Sequence, residues 1–155
     1  MTTTYATQPA VRPFQLTVYD SALAVGRIVL VVMFIISGLG KFADISGTAA
    51  MIASKNLPMP TVLAVAAALA EVAGGLLIVL GWQTRLVALG LLVYTLIAAY
   101  YFHAFWAMPD GAEQMDAMIH AMKNLSIAGA FLMLAAVGAG RYSIDGRSPA
   151  VSRSI

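Results

Sequence analysis

The chain has 155 residues, 61% of them apolar and 10% charged, with a net charge of +2, where a soluble domain averages roughly 45–50% apolar and about 25% charged. So few polar groups cannot cover a soluble fold of this size, which excludes a soluble globular enzyme, a disordered regulator and a nucleic-acid module and leaves an integral membrane protein of one domain. The absence of cysteine also excludes disulfides, iron–sulfur clusters and thiol exchange within the chain.

Residues 1–20 are polar with little pattern and read as a tail, with an interfacial piece around Phe14–Tyr19. A helix needs about 20 mostly apolar residues to cross the hydrocarbon core, and four segments meet or approach that length. The first span runs from about Ser21 to Gly40 with Arg27 as its one charge. It is expected to stay uncleaved, because its apolar run starts only at Ile28 and no small-x-small site follows Gly40. The segment Gly47–Asn56 reads as a short interfacial helix with Met51 and Ile52 toward lipid. Leu57–Pro58–Met59–Pro60 then breaks the chain and starts the second span, Thr61 to Leu80, whose one charge is Glu71. Gly81–Trp82–Gln83–Thr84–Arg85 is a tight turn into the third span, Leu86 to Ala107, and Pro109–Asp110–Gly111 ends that one. The fourth span runs from about Asn124 to Gly140, and residues 146–155 read as a second tail. Lipid leaves helices as the form for such runs, so the expected fold is all-α, an integral membrane four-helix bundle over residues 21–145.

With four spans, both tails and the 81–85 turn share one side. That side holds Arg12, Arg27, Arg85, Arg141, Arg147 and Arg153, while the other holds Lys41, Lys55 and Lys123 together with Asp44, Asp110, Glu113 and Asp116. Basic residues favour the cytoplasm, so both termini are expected inside. Tyr100, Tyr101, Phe105 and Trp106 at one end, and Trp82 and Tyr142 at the other, suit the two interfaces.

Ionisable groups inside a membrane helix cost about 2.5–3.5 kcal/mol each on insertion scales and turn toward the bundle interior. Arg27 and Glu71 are the two deep ones, and a snorkelling arginine covers much of their difference in depth; the expected pair is Arg27–Glu71. Arg27, Phe34, Gly38 and Lys41 form one stripe of span one. Ala64, Ala67, Ala68, Gly74 and Gly75 share the face of Glu71, and such small residues admit a close neighbour. Glu71 reads either as a buried clamp or as a proton or ligand site.

At the outer end Lys41, His103, His120, Lys123 and Asn124 lie at similar depth and are expected to line an outward-facing polar pocket. A quinone head group or an organic anion suits those donors; a haem between the two histidines suits them poorly, because both lie at span ends. Met108, Met115, Met118 and Met122 near His120 are donors of the kind copper(I) takes. Yet Met115, Met118, Ile119 and Met122 also make the apolar stripe of a helix entering the membrane, which is the reading adopted. No nucleophile–base pair, P-loop, dinucleotide fingerprint or metal-site spacing appears, and Ser37 and Ser126 read as bonded to their own helix backbone.

The ordered set of these features resembles the DoxX family of small bacterial membrane proteins. It comprises Arg27, Ser37–Gly38–Leu39 with Lys41, Leu57–Pro58–Met59–Pro60, Glu71 with Gly74–Gly75, Gly81 with Thr84–Arg85, His103, Lys123–Asn124, and the run from Gly138 through Asp145. The likeness spans residues 21–147 and implies a four-helix inner-membrane protein with both termini in the cytoplasm. The family's name comes from a subunit associated with a quinone-linked oxidoreductase. The resemblance therefore implies an accessory or quinone-interacting subunit of a redox or stress-response system, not a stand-alone enzyme, with an oxidoreductase partner or a second copy as its contact in the bilayer. It also groups Arg27, Lys41, Glu71, His103 and Lys123 as residues that matter together. A small oligomeric transporter or lipid-binding protein, and a purely structural scaffold, are the alternative readings.

Overall fold

The computed structural model describes residues 13–147, all of whose regular elements are helical. Of the tails expected at residues 1–20 and 146–155, residues 1–12 and 148–155, with Arg12 and Arg153, lie outside the described residues. Five helices follow in order: α1 (Pro13–Ala43), α2 (Ile45–Ala53), α3 (Pro60–Leu80), α4 (Thr84–Phe102) and α5 (Ala112–Val137), with single 3₁₀ turns at Phe105–Ala107 and Asp145–Arg147. The four long ones are long and apolar enough to cross a membrane, as the hydropathy requires.

Two boundaries differ most from expectation. Helix α1 opens on Pro13, before the expected start at Ser21. Proline is pre-set for the first helical position, so the segment expected as a tail supplies the first turns of α1. Helix α5 begins at Ala112, well before Asn124. The polar residues Glu113, Asp116 and His120 do not interrupt the helical period; they hide the start of a helix from a reading based on hydropathy.

Local chemistry sets the joints. Asp44 links α1 to α2: its amide donates to Gly40 O, and its carboxylate caps α2 by accepting from Gly47 N (2.8 Å) and Ser46 Oγ (3.0 Å). The Gly47 amide and then the Ser46 hydroxyl outweigh desolvation and hold this carboxyl below its usual range. In α2 Met51 faces outward as expected, but Ile52 is buried, in a helix that packs chiefly along α3. Helix α3 ends where Gly81 adopts φ +67 and Trp82 N reaches back to Leu77 O at 3.0 Å, a left-handed stop that glycine makes without strain.

The main packed pairs are α1 with α3 and α4 with α5, joined through α3 and α4. Val31, Phe34, Ile78, Ala88, Leu91, Phe131, Leu134 and Ala135 form the shared core. Phe34 meets Phe131 edge-to-face at 5.3 Å and ties α1 to α5. Large apolar residues such as Ile36, Leu86 and Met133 point outward, which in lipid costs nothing.

Small residues decide how closely α1 and α3 approach. A Cβ on Gly38 would lie 2.7 Å from Val72 Cγ2, 2.9 Å from Glu71 Cβ and 3.0 Å from Ala68 O; one on Gly75 would lie 2.6 Å from Ile35 Cγ1. We expect Gly38→Ala to cost about 1–2 kcal/mol through overpacking, because the Ala68 carbonyl is backbone and cannot rotate aside. Gly90→Ala, where nothing lies within 4 Å, is the control and should leave the detergent unfolding midpoint unchanged or raise it.

Candidate functional site

The α1–α3 contact places Gly38 level with Glu71. Lys41 is one turn beyond Gly38 on the same stripe, so its side chain reaches back over the space that Gly38 leaves open. Lys41 Nζ lies 2.9 Å from Glu71 Oε1 and 2.8 Å from Oε2, and also donates to Ser37 Oγ at 2.6 Å. From α4, Tyr94 Oη donates to Glu71 Oε1 at 2.5 Å. The Glu71 side chain is 7% exposed and that of Lys41 25%. Counted along α3 at 1.5 Å per residue, Glu71 is about 16 Å from Pro60 and about 14 Å from Leu80, near the middle of the span.

Three helices therefore deliver an ammonium, a carboxylate, a phenol and a hydroxyl to one point in the apolar layer. A lone carboxylate there would be prohibitive. Paired with an ammonium and accepting from a phenol, it forms a neutral cluster of charge-assisted hydrogen bonds. The cluster holds exchangeable protons beside a carboxylate, which equips it to pass a proton or to offer donors to a carbonyl oxygen.

The expected Arg27–Glu71 pair is not formed. Arg27 lies 11 residues before Gly38 on α1, about 16 Å along the axis, beyond the reach of its side chain to Glu71. Its guanidinium instead donates to the carbonyls of Ala139 and Tyr142. Depth estimated from span ends misjudged the register, which the Gly38 and Gly75 contacts set.

These carbonyls belong to residues 138–147, which leave α5 at Gly138 and fold back across the end of the bundle. Ile144 N and Asp145 N donate to Leu80 O and Gly81 O. Asp145 accepts the amides of Gln83 and Thr84, both at 2.9 Å, at the start of α4, where a carboxylate suits the helix dipole. Partial burial pushes the Asp145 carboxyl up, but the Thr84 and Gln83 hydrogen bonds and the Arg27 charge prevail and hold it below the usual range. Asp20 accepts from Arg141 N at 3.0 Å, and Arg85 donates to Ala135 O and Val137 O at the end of α5, at 3.3 and 3.5 Å.

The residues expected to form one outer pocket separate into two groups. Lys41 belongs to the Glu71 cluster. His103 and His120 stack with ring centroids 5.0 Å apart and planes at 15°, and His120 lies 3.7 Å from Asp116. Lys123 is exposed and Asn124 half-buried, and among the described residues no hydrogen bond or ion pair joins either to the others. No group of three or more His, Cys, Asp or Glu side chains among the described residues is placed to hold a metal ion. Ser126 bonds back to Met122 O, as expected, whereas Ser37 accepts from Lys41.

Tyr94, Asp20 and Asp145 were missed as partners. For Tyr94 a signal existed: the 81–83 turn makes α3 and α4 a hairpin, so residues nine before Leu80 and ten after Thr84 share one depth. Those residues are Glu71 and Tyr94.

A family model described as DoxX matches residues 22–104. The chain is 43% identical over 125 residues to the inner membrane protein YphA of Escherichia coli (strain K12), covering 81% of this chain and 89% of that protein. It is 37% identical over 129 residues to the inner membrane protein YqjF of the same organism, covering 81% and 91%. No solved structure matches it.

Proposed function

The chain belongs to the DoxX family of inner membrane proteins, and from that premise we propose that it is a quinone-interacting accessory subunit whose working site is the Lys41–Glu71–Tyr94 cluster. One observation carries the reading: Lys41 and Tyr94 aim donors at the same mid-span carboxylate. A quinone head group dissolves in the bilayer, has two carbonyl acceptors and takes up two protons on reduction. Lys41 and Tyr94 would donate to a carbonyl, and Glu71 would exchange the proton. The electrons would come from an oxidoreductase partner.

We place both termini in the cytoplasm. Among the described residues Arg27, Arg85, Arg141 and Arg147 gather at the end where α1 starts and α5 stops, against Lys41, Lys55 and Lys123 toward the opposite end, a bias in the direction that basic residues favour.

The full chain, purified in mild detergent, should retain quinone detectable by mass spectrometry of its bound lipids. Tyr94→Phe keeps the ring and removes the hydroxyl; the loss of one hydrogen bond should lower retained quinone about tenfold. Recovery of the native protein with neither quinone nor an oxidoreductase would overturn the proposal. A second reading, a structural clamp, is favoured by the closure of the network, in which both Glu71 oxygens already have donors. It predicts that Tyr94→Phe lowers stability while the bound lipids stay the same.

A further inference from the structure

The end of the bundle closed by residues 138–147 carries a cleft of about 450 Å³, lined among others by Asp20, Gln83, Thr84, Arg85, Arg141 and Asp145. Its two acids are already engaged. Asp145 accepts two backbone amides, and Asp20 accepts the Arg141 amide. Its cations are not. The Arg141 and Arg147 side chains are exposed, and among the described residues neither has a hydrogen-bond or ion-pair partner. Arg85 makes only long bonds to the carbonyls of α5. The lining arginines Arg85 and Arg141 balance Asp20 and Asp145, and Arg27 and Arg147 bring this end to four arginines against two aspartates among the described residues, so the end as a whole has an excess of positive charge and the cleft has unused guanidinium donors.

Its level in the molecule is marked as well. Trp82 is 50% and Tyr142 53% exposed, and both neighbour lining residues in the chain. Such aromatic side chains settle at the headgroup layer. Guanidinium groups match phosphate oxygens in geometry and charge, and basic pockets between membrane helices take anionic headgroups.

We infer that this cleft binds the phosphate of an anionic phospholipid headgroup, held by Arg141 and Arg85, with Arg147, which follows the lining residue Gly146 in the chain, adding charge at the same end. The site is independent of the Lys41–Glu71–Tyr94 cluster, which lies mid-span, and the carboxylates of Asp20 and Asp145 shape it by holding the surrounding backbone.

The test uses the full chain in neutral detergent with Trp106→Phe, so that Trp82 is its sole tryptophan. Short-chain phosphatidylglycerol should change Trp82 fluorescence saturably, while phosphatidylcholine of the same chain length should not saturate over the same range. Arg141→Gln with Arg147→Gln should weaken the phosphatidylglycerol response at least about tenfold, the loss of one charge-assisted contact. Neither arginine side chain supports the fold, so the thermal midpoint should be unchanged, and Arg141→Lys should recover part of the affinity. Saturable competition by inorganic phosphate would support the site with the free ion as its ligand. Equal affinity for the two lipids, or a double variant that binds like the parent, would overturn the inference.

Discussion

Glu71→Gln should lower the free energy of unfolding in detergent by about 3 kcal/mol. The substitution keeps the size of the side chain and removes its charge, so the Lys41 ammonium loses its counter-ion among apolar helices. The lower end of the usual range for breaking a buried pair applies, because Lys41 is partly exposed and can turn toward the interface. The identity of the partner makes the test sharp. Adding Lys41→Met to Glu71→Gln should restore about 1–2 kcal/mol, since the unpaired charge is gone. Adding Arg27→Met should not, because those sites share no contact and their costs should add. Denaturing-detergent titrations of Glu71→Gln, the two double variants and Arg27→Met alone would decide it; rescue by Arg27→Met instead would show the pairing here to be wrong.

Arg27→Met should cost about 3 kcal/mol by a different route. Arg27 is 5% exposed and its guanidinium is the donor for the Ala139 and Tyr142 carbonyls; hydrogen bonds to a charged group contribute about 1.5–3 kcal/mol each. Relief of the arginine's own desolvation offsets part of that sum. The loss should be local before it is global. Ile144 and Asp145 amides, which donate to Leu80 and Gly81, should exchange hydrogen much faster in the variant, while the amides of α3 around Glu71 keep their protection. Equal acceleration at both places would mean that the bundle end does not open as a separate unit.

What was legible in the sequence follows from which forces are local. The spans show themselves because each is an uninterrupted apolar run, and Pro60, Gly81 and Gly138 punctuate them by backbone chemistry that needs no partner. The small-residue face of α3 around Glu71 is also periodic; α1 packs against its Ala68 and Gly75, while Gly74 meets Leu91 of α4. Pairing is another matter. Whether Glu71 meets Arg27 or Lys41 depends on an axial register of about 16 Å, which is set by how deeply Ile35 and Val72 sit in the gaps left by Gly75 and Gly38. No property of Arg27 or Lys41 alone reveals it. The outer pocket fails for a related reason: equal depth does not bring side chains together, and α1 and α5 share only slight contact. Histidines on consecutive, closely packed helices meet, and Lys41 on α1 does not join them.

The Arg27 contacts also bear on the order of events at the ribosome. The residue leaves the exit tunnel long before its acceptors exist, since Tyr142 follows it by 115 positions. Throughout that interval the guanidinium has to stay at the aqueous boundary, its long stem lying along the first helix. Only when the last span has entered and residues 138–147 fold back does a dry berth become available. A chain that ends before Gly138 thus lacks both carbonyl acceptors and leaves the Arg27 cation at the bilayer surface.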